Sequence, residues 1–105
     1  MQTDSIIFES LRNTGVVWAG LSEERAYVNE LCPEDNFIVT FDPLDGSSII
    51  DTNFTIGSIF AIWPKGDLTK MTGRDILGGA LALYGSRTNV IVYNTVKECI
   101  DELTL

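Results

Sequence analysis

The FIVTF run at residues 37–41 is the feature that most restricts the fold of this chain. Its β-branched and aromatic residues favour a buried strand over a helix. The run leads directly into the DPLDG segment at 42–46, whose proline, aspartates and glycine are typical of a tight turn. The sequence therefore predicts a strand that ends at a turn carrying two carboxylates.

The remaining segments alternate between helical and strand-like patterns. A first helix is predicted from Asp4, a capping residue, to Gly15, which suits a helix C-terminus. A second helix is predicted over 74–83, although two glycines there disfavour a helix by about 1 kcal/mol each. Further strands are predicted over 16–20, 55–63, 90–93 and 98–105, and a polar loop over 22–35. This order indicates an α+β fold, with a mixed or antiparallel sheet covered by helices.

Length and composition limit the classes of function. The 105 residues suffice for one small domain, and 45% of them are apolar, which is ample for a packed core. The net charge of −8 argues against nucleic acid or an anionic membrane as a partner. The chain has no histidine, which excludes histidine-based nucleophile pairs and histidine metal ligands within it. Its two cysteines do not form a disulfide framework.

The acidic residues around the predicted turn have the chemistry of a cation site. Asp42 and Asp45 are three positions apart, and the backbone carbonyl of Leu44 between them is another hard oxygen ligand. Upstream, Glu23 and Glu24 follow a different predicted strand. Oxygen ligands without histidine or paired cysteine suit magnesium or manganese. A divalent cation would also relieve the repulsion between the clustered carboxylates.

The residues after the turn have the chemistry of an anion site. Gly46 allows close approach of the backbone to a ligand. Ser47 and Ser48 supply hydroxyl and amide groups at a predicted helix start near Ile49, where anions bind well. The sequence therefore predicts cation ligands and a phosphate cradle side by side. Taken singly, each motif is more often an ordinary turn or a solvated acidic surface, and only the combination is specific.

Three motifs make the sequence recognisable, namely FDPLDGSS at 41–48, SEE at 22–24 and ALYGSRT at 82–88. From about residue 4 to residue 94, the chain closely resembles the sugar-bisphosphatase family, which includes fructose-1,6-bisphosphatases and sedoheptulose-1,7-bisphosphatases. The resemblance implies a magnesium-dependent phosphatase that hydrolyses the 1-phosphate ester of a ketose bisphosphate.

The resemblance also implies a role for each matching residue. Glu24 would position or deprotonate the attacking water. Two or three magnesium ions, or manganese in their place, would be bound by three carboxylates and one backbone carbonyl, those of Glu23, Asp42, Asp45 and Leu44. The phosphate would be bound by Asp45, Gly46, Ser47 and Ser48.

The branch of the family is indicated by segments outside the central motif. IIDTNF at 49–54, WP at 63–64 and TGRD at 72–75 resemble the sedoheptulose enzymes. Fructose enzymes usually carry asparagine after the serine pair, where this chain has Ile49. Hydrolysis of sedoheptulose-1,7-bisphosphate is thus the leading interpretation, and fructose-1,6-bisphosphatase is the nearest alternative. Two other interpretations stay open: a non-catalytic remnant that binds magnesium or phosphate, and an acidic α+β domain in which the motif is a coincidence.

Members of this family are several times longer than this chain of 105 residues. We therefore expect residues 1–105 to form a partial N-terminal domain that binds metal and phosphate. The isolated chain is expected to show weak or no turnover, because the groups that position the far end of the sugar are missing. It is also expected to expose a sheet face or edge. The resemblance implies a homo-oligomer in the full-length form, and it leaves plastid stroma and cytoplasm equally open.

Overall fold

The computed structural model describes residues 2–25, 27–45 and 56–104, with the backbone alone for 2–4 and for Asp45. One helix, α1, spans Gln2–Thr14, and two short 3₁₀ helices span Leu68–Lys70 and Gly73–Asp75. The strands are β1 Val17–Ser22, β2 Asn29–Glu30, β3 Phe37–Asp45, β4 Ile56–Pro64, β5 Gly78–Tyr84, β6 Thr88–Asn94 and β7 Cys99–Thr104. The first helix and the strands beginning near 17, 37, 56, 88 and 99 follow the predicted positions.

Within the described residues, the seven strands form a single mixed sheet in the order β2-β1-β3-β4-β5-β6-β7. Strands β1 and β3 are parallel, and every other neighbouring pair is antiparallel. The predicted α+β class with a mixed sheet is confirmed. Because β1 and β3 run in the same direction, their carboxyl ends reach the same edge of the sheet.

Helix α1 covers the β1 and β3 part of the sheet. Its C-terminal end is followed by Gly15 at φ 72°, a left-handed conformation that suits glycine. Phe8 is the buried residue of the helix, and Ile7 and Leu11 pack against the same core. The helix approaches the sheet closely over Gly20, where an added Cβ would lie 2.7 Å from Phe8 Cε1.

The hydrophobic core lies between α1 and this part of the sheet. Its buried cluster consists of Phe8, Val17, Val39 and Phe41, with Phe60 packed against it. The ring centroids of Phe8 and Phe41 are 5.1 Å apart in an edge-to-face arrangement, and those of Phe41 and Phe60 are 5.9 Å apart in a stacked one. These are favourable aromatic geometries. The FIVTF strand is thus the centre of the core, as its composition predicts.

The prediction of a second helix over 74–83 is wrong. Residues Gly73–Asp75 form one 3₁₀ turn, and the chain then enters strand β5, which pairs with β4 and β6. The turn is closed by a capping box: the Asp75 carboxylate accepts a hydrogen bond from the Thr72 N–H, and the Thr72 hydroxyl oxygen accepts one from the Arg74 N–H. Gly78 and Gly79 lower the helix propensity, whereas β4 pairs with residues 78–84 and β6 with residues 80–84. Tertiary pairing therefore overrides the local apolar spacing.

The prediction of a tight turn beginning at Asp42 is also wrong for residues 42–45. Strand β3 continues to Asp45, with an irregularity in its pairing with β4. Asp42 is opposite Ile59 and Asp45 is opposite Gly57, so that two residues of β3 face the single residue Ser58. This two-against-one pairing is a β-bulge. The predicted helix start at Ser47 and Ser48 lies outside the described residues.

The part of the sheet beyond β4 is much less covered. Ile100 and Leu103 of β7 are 69% and 61% exposed. Tyr93 of β6 and Tyr84 of β5 also have exposed side chains. The expected exposed sheet face is thus present in the residues that can be described. Within those same ranges, no helix is long and apolar enough to cross a membrane.

Candidate functional site

The two acidic segments meet where the parallel strands β1 and β3 end. Ser22, the last residue of β1, is paired with Phe41 of β3. Directly beyond this pair, the backbone N–H of Glu23 donates a hydrogen bond of 2.9 Å to the carbonyl of Phe41. The residue after Phe41 is Asp42, so the structure places the SEE segment beside the DPLD segment. The two segments are far apart in sequence, and only the sheet brings them together.

The SEE segment forms a tight turn organised by Ser22. This serine is buried, and its Oγ accepts a hydrogen bond of 3.1 Å from the backbone N–H of Glu24. Its carbonyl accepts a second bond of 3.1 Å from the N–H of Arg25. The backbone of the turn is therefore fixed, while the side chains of Glu23 and Glu24 are exposed. An exposed carboxylate on a fixed backbone is available to a ligand without a large desolvation penalty.

The DPLD segment is held by local hydrogen bonds at the bulge of β3. Oδ1 of Asp42 accepts a bond of 3.2 Å from the backbone N–H of Leu44. Asp42 and Leu44 are half-buried, and Pro43 between them is fully buried. Because the bulge interrupts the ladder between Asp42 and Asp45, the backbone here is not wholly committed to pairing with β4. Of Asp45 only the backbone is described, opposite Gly57.

A cleft of about 480 Å³ opens at this meeting point. It is lined by residues of β1, β3 and β4 and of the turn after β1: Leu21, Ser22, Glu23, Arg25, Thr40, Phe41, Asp42, Ile59 and Ala61. Glu23 and Asp42 are its carboxylates. Its volume is in the range of small-molecule sites. The lining is mainly apolar, with the two carboxylates and the Arg25 side chain as its charged groups. Carboxylate oxygens are ligands that a divalent cation prefers.

The donor set fits a magnesium or manganese ion in its chemistry. Glu23 and Asp42 supply carboxylate oxygens from adjacent strand ends, and Leu44 supplies a backbone carbonyl between Asp42 and Asp45. Hard oxygen donors are what these ions prefer. Among the side chains that can be described, no three acidic groups are close enough together to hold a metal ion. The third carboxylate of the predicted set, that of Asp45, is not among them, and Gly46, Ser47 and Ser48 also lie outside the described residues.

Sequence reasoning missed Ser58, which contacts the DPLD segment, and it treated Tyr84 only as part of the ALYGSRT motif. Ser58 of β4 is 2% exposed, and its Oγ is 2.7 Å from the carbonyl of Pro43. Its Oγ is also 2.9 Å from the hydroxyl of Tyr84 in β5. The signal available in the sequence was a lone serine inside the apolar run IGSIFAIW at 56–63. A buried hydroxyl in such a run needs a partner, which the sequence alone does not identify.

The two cysteines have no part in this site. Both Cys32 and Cys99 are free and half-buried. Burial raises the pKa of the Cys32 thiol, and the neighbouring Asp35 raises it further. A raised pKa lowers the thiolate fraction and hence the reactivity. Two reduced thiols are what the sequence predicts, because it contains no C-x-x-C pair.

The amino-acid sequence of this chain is similar to those of known proteins from one family. The family model described as "Fructose-1-6-bisphosphatase, N-terminal domain" matches residues 1–105. Sedoheptulose-1,7-bisphosphatase from the chloroplast of Triticum aestivum is 44% identical over 101 residues, which cover 94% of this chain and 25% of that protein. A class 1 fructose-1,6-bisphosphatase of Campylobacter jejuni is 38% identical over 90 residues, covering 86% of this chain and 31% of that protein. This chain thus spans about a quarter to a third of the length of these relatives.

A solved structure shows the same architecture. The crystal structure of Leishmania major fructose-1,6-bisphosphatase in its holo form superimposes with a TM-score of 0.88 and 30% sequence identity. The match covers 98% of this chain and 34% of that one. The sheet and the helix described above are therefore arranged as they are in that enzyme.

Proposed function

The chain belongs to the fructose-1,6-bisphosphatase family, and from this membership we propose that it forms the metal- and phosphate-binding part of a sugar bisphosphate phosphatase. Its relatives are named as sedoheptulose- and fructose-bisphosphatases, both of them phosphatases of sugar bisphosphates. The proposed reaction is magnesium-dependent hydrolysis of a phosphate monoester. The proposed substrate is sedoheptulose-1,7-bisphosphate, cleaved at its 1-phosphate.

One observation carries the proposal. The hydrogen bond from Glu23 N–H to the Phe41 carbonyl fixes the glutamate pair next to Asp42. If the two acidic segments had ended at opposite edges of the sheet, their motifs would have had no common chemistry. Since β1 and β3 are parallel neighbours, the motifs share one cleft.

The proposed metal ligands are Glu23, Asp42 and Asp45 through their carboxylates and Leu44 through its carbonyl. When bound there, magnesium would lower the pKa of a coordinated water and neutralise charge that develops on the transferred phosphoryl group. Two or three such ions, with manganese as a substitute, are expected.

The protein residues around the ions have separate tasks. Glu24 is the proposed residue that orients or deprotonates the attacking water, and its backbone is held by the bond to Ser22 Oγ. A fixed backbone restricts where the carboxylate can reach, which favours one geometry of attack. Asp45, Gly46, Ser47 and Ser48 are the proposed phosphate-binding residues. Their amides and hydroxyls would hold the phosphate so that the water approaches in line with the leaving oxygen.

The choice of sugar rests on the segments that flank the site. The higher identity to the wheat sedoheptulose enzyme, 44% against 38% for the Campylobacter fructose enzyme, supports the sedoheptulose substrate. Ile49 after the serine pair supports it too. Fructose-1,6-bisphosphate is the second candidate, because the chain also matches fructose enzymes over most of its length. Both substrates present the same ketose 1-phosphate to the cleft.

Metal binding by the isolated chain tests the proposal directly. We expect Mn²⁺ to bind the unsubstituted chain. Binding is measured as the loss of the electron paramagnetic resonance signal of the free ion. Asp42→Asn should weaken this binding by about tenfold or more, because removal of one charged ligand removes a direct metal bond. Asp101→Asn on the exposed strand β7 is the matched control and should leave binding unchanged. Equal binding by the chain and the Asp42→Asn variant would disprove the proposed site.

Turnover tests the chemistry and the substrate separately. The isolated chain is expected to release little or no phosphate from sedoheptulose-1,7-bisphosphate with magnesium, because it spans about a quarter of the length of its sedoheptulose relatives. In a chimera, residues 1–105 replace the matching segment of the wheat relative. This chimera should release phosphate from sedoheptulose-1,7-bisphosphate. A second chimera, in which residues 1–105 replace the matching segment of the Campylobacter fructose enzyme, is needed because the host portion of each chimera holds the far end of the sugar. A preference for sedoheptulose-1,7-bisphosphate in both chimeras would assign that preference to residues 1–105. An inactive chimera that still binds Mn²⁺ would favour a non-catalytic binding remnant.

A further inference from the structure

The bulge of β3 leaves the Pro43 carbonyl without a backbone partner in the β-ladder. Between Asp42 and Asp45, Pro43 and Leu44 face Ser58 alone across the β3–β4 pair. Pro43 has no N–H, and its carbonyl lies in a fully buried environment. A buried carbonyl needs a hydrogen-bond donor. The Ser58 hydroxyl, 2.7 Å away, is that donor.

The directions of the hydrogen bonds follow from the number of protons available. A serine hydroxyl has one proton, and the Pro43 carbonyl can only accept. Ser58 therefore donates to Pro43, so in the 2.9 Å contact between the two hydroxyls Tyr84 must be the donor. Tyr84 of β5, Ser58 of β4 and Pro43 of β3 form a chain that crosses three strands.

The same peptide unit is held from its other side by Asp42. The carbonyl of Pro43 and the N–H of Leu44 belong to one planar peptide and point in opposite directions. The N–H of Leu44 donates to Oδ1 of Asp42 over a distance of 3.2 Å. Ser58 and Asp42 thus clamp this peptide between them. A bond donated to its carbonyl polarises the peptide and strengthens its N–H as a donor.

We propose that Ser58 and Tyr84 are positioning residues that set the orientation of the Asp42 carboxylate and of the Leu44 backbone through the peptide between Pro43 and Leu44. Neither residue is assigned contact with the metal ion or the substrate. The inference rests on the proposed function, because it gives the two hydroxyls a role in the geometry of the proposed cation ligands. Partners of this kind, one step removed from the ion, commonly change metal affinity when they are mutated.

Mn²⁺ affinity of the 105-residue chain, measured by electron paramagnetic resonance with Mn²⁺ alone as the probe, tests this role. We expect Ser58→Ala to weaken binding by about tenfold and Tyr84→Phe by about threefold. Ser58→Thr keeps the hydroxyl and should restore affinity to within about twofold of the unsubstituted chain. Tyr84 is 39% exposed and its ring is retained in Tyr84→Phe, so this variant provides the measurement if Ser58→Ala does not fold.

A matched control separates positioning from loss of stability. Trp63→Phe removes another side-chain hydrogen bond between β3 and β4, the 2.9 Å bond from Trp63 Nε1 to Thr40 Oγ1, without touching the bulge. Its Mn²⁺ affinity should equal that of the unsubstituted chain. The inference is overturned if Ser58→Ala or Tyr84→Phe binds Mn²⁺ as tightly as the unsubstituted chain does. It is overturned as well if Trp63→Phe weakens binding as much as Ser58→Ala. Failure of the unsubstituted chain to bind Mn²⁺ would instead overturn the proposed function, and the inference with it.

Discussion

The two ends of the sheet differ sharply in how well they are covered. The closed half consists of α1 with β1, β3 and β4, and the open half consists of β5, β6 and β7. Every buried hydrophobic residue among those described lies in α1, β1 or β3. In the open half, β7 is exposed along almost its whole length, although its backbone is fully paired with β6 on one side.

This difference shows that backbone hydrogen bonding and burial of apolar side chains contribute separately to the stability of this protein. The backbone ladders run through both halves and are interrupted at register shifts only in the closed half, yet the buried hydrophobic side chains among the described residues all lie in the closed half. Net stabilisation by a backbone hydrogen bond is modest, whereas burial of a large apolar side chain contributes about 1.5–3 kcal/mol. The proposed site lies in the closed half, so its carboxylates and carbonyls rest on the better-fixed part of the structure. Four experiments test whether stability is unevenly distributed over the structure in this way.

Truncation of the central aromatic should give the largest effect. Phe41 is 5% exposed and contacts the rings of Phe8 and Phe60, so Phe41→Ala is expected to lower the free energy of unfolding by about 3–5 kcal/mol. Leu103→Ala in the open half is the control and should change it by less than about 0.5 kcal/mol. Urea unfolding followed by tryptophan fluorescence measures both values, because Trp18 and Trp63 lie in β1 and β4. Similar losses in the two variants would show that the halves do not differ.

Metal binding should stabilise the closed half. If the proposed site is correct, Mn²⁺ at about a hundred times its dissociation constant should raise the free energy of unfolding by about 2.7 kcal/mol. Hydrogen exchange of the amides at the ends of β1 and β3 should slow, whereas exposed amides of β7 should exchange as before. The Asp42→Asn variant should show neither change. Slower exchange in β7 alone would place the ion elsewhere.

A pair of glycine substitutions compares packing in the two halves. A Cβ added at Gly20 would lie 2.7 Å from the Phe8 ring, so Gly20→Ala should destabilise the protein by about 1–3 kcal/mol through overpacking. A Cβ at Gly79 of β5 would meet only the Phe60 carbonyl at 3.5 Å, an ordinary contact. Gly79→Ala should therefore be neutral or slightly stabilising, because glycine weakens a strand. The midpoint temperatures of thermal unfolding of the two variants test this prediction. A larger decrease for Gly79→Ala than for Gly20→Ala would contradict it.

The smallest effect is expected from the surface turn Leu68–Lys70. Hydrogen bonds from the Thr69 hydroxyl and backbone N–H hold the pKa of the Asp67 carboxyl below its ordinary value. The lowered pKa means that the ionised carboxylate stabilises the fold above the pKa of the unfolded chain, and that this contribution is lost as pH falls through the folded pKa. Relative to Asp67→Asn, the unsubstituted chain should have a slightly higher urea midpoint at a pH of about 6, and that difference should vanish well below a pH of about 4. If the difference in urea midpoint did not change with pH, the ionised Asp67 carboxylate would not be its cause.

Local sequence patterns predicted α1 and most of the strands correctly, and they suggested the chemistry of the proposed site. The β-branched and aromatic run at 37–41 predicts the first part of β3, which extends to Asp45. The glycine at φ 72° follows α1 where the sequence predicts its end. Carboxylates, a proline-containing segment and a serine pair predict oxygen ligands for a cation and a cradle for phosphate, and both stay predictions. These conclusions depend on neighbours in the chain, which a sequence displays directly.

Only the tertiary structure decided which distant groups meet. It made residues 78–84 a strand, because β4 and β6 offer hydrogen bonds on both sides of a segment whose spacing also suits a helix. It replaced the expected turn at 42–45 with a bulge. It also paired the Pro43 carbonyl with the Ser58 hydroxyl, 15 residues away in sequence, and the Ser58 hydroxyl with that of Tyr84, 26 residues away. The adjacency of Glu23 and Asp42 likewise depends on parallel pairing of β1 and β3. Such contacts arise from the register of a whole sheet, which no local pattern encodes.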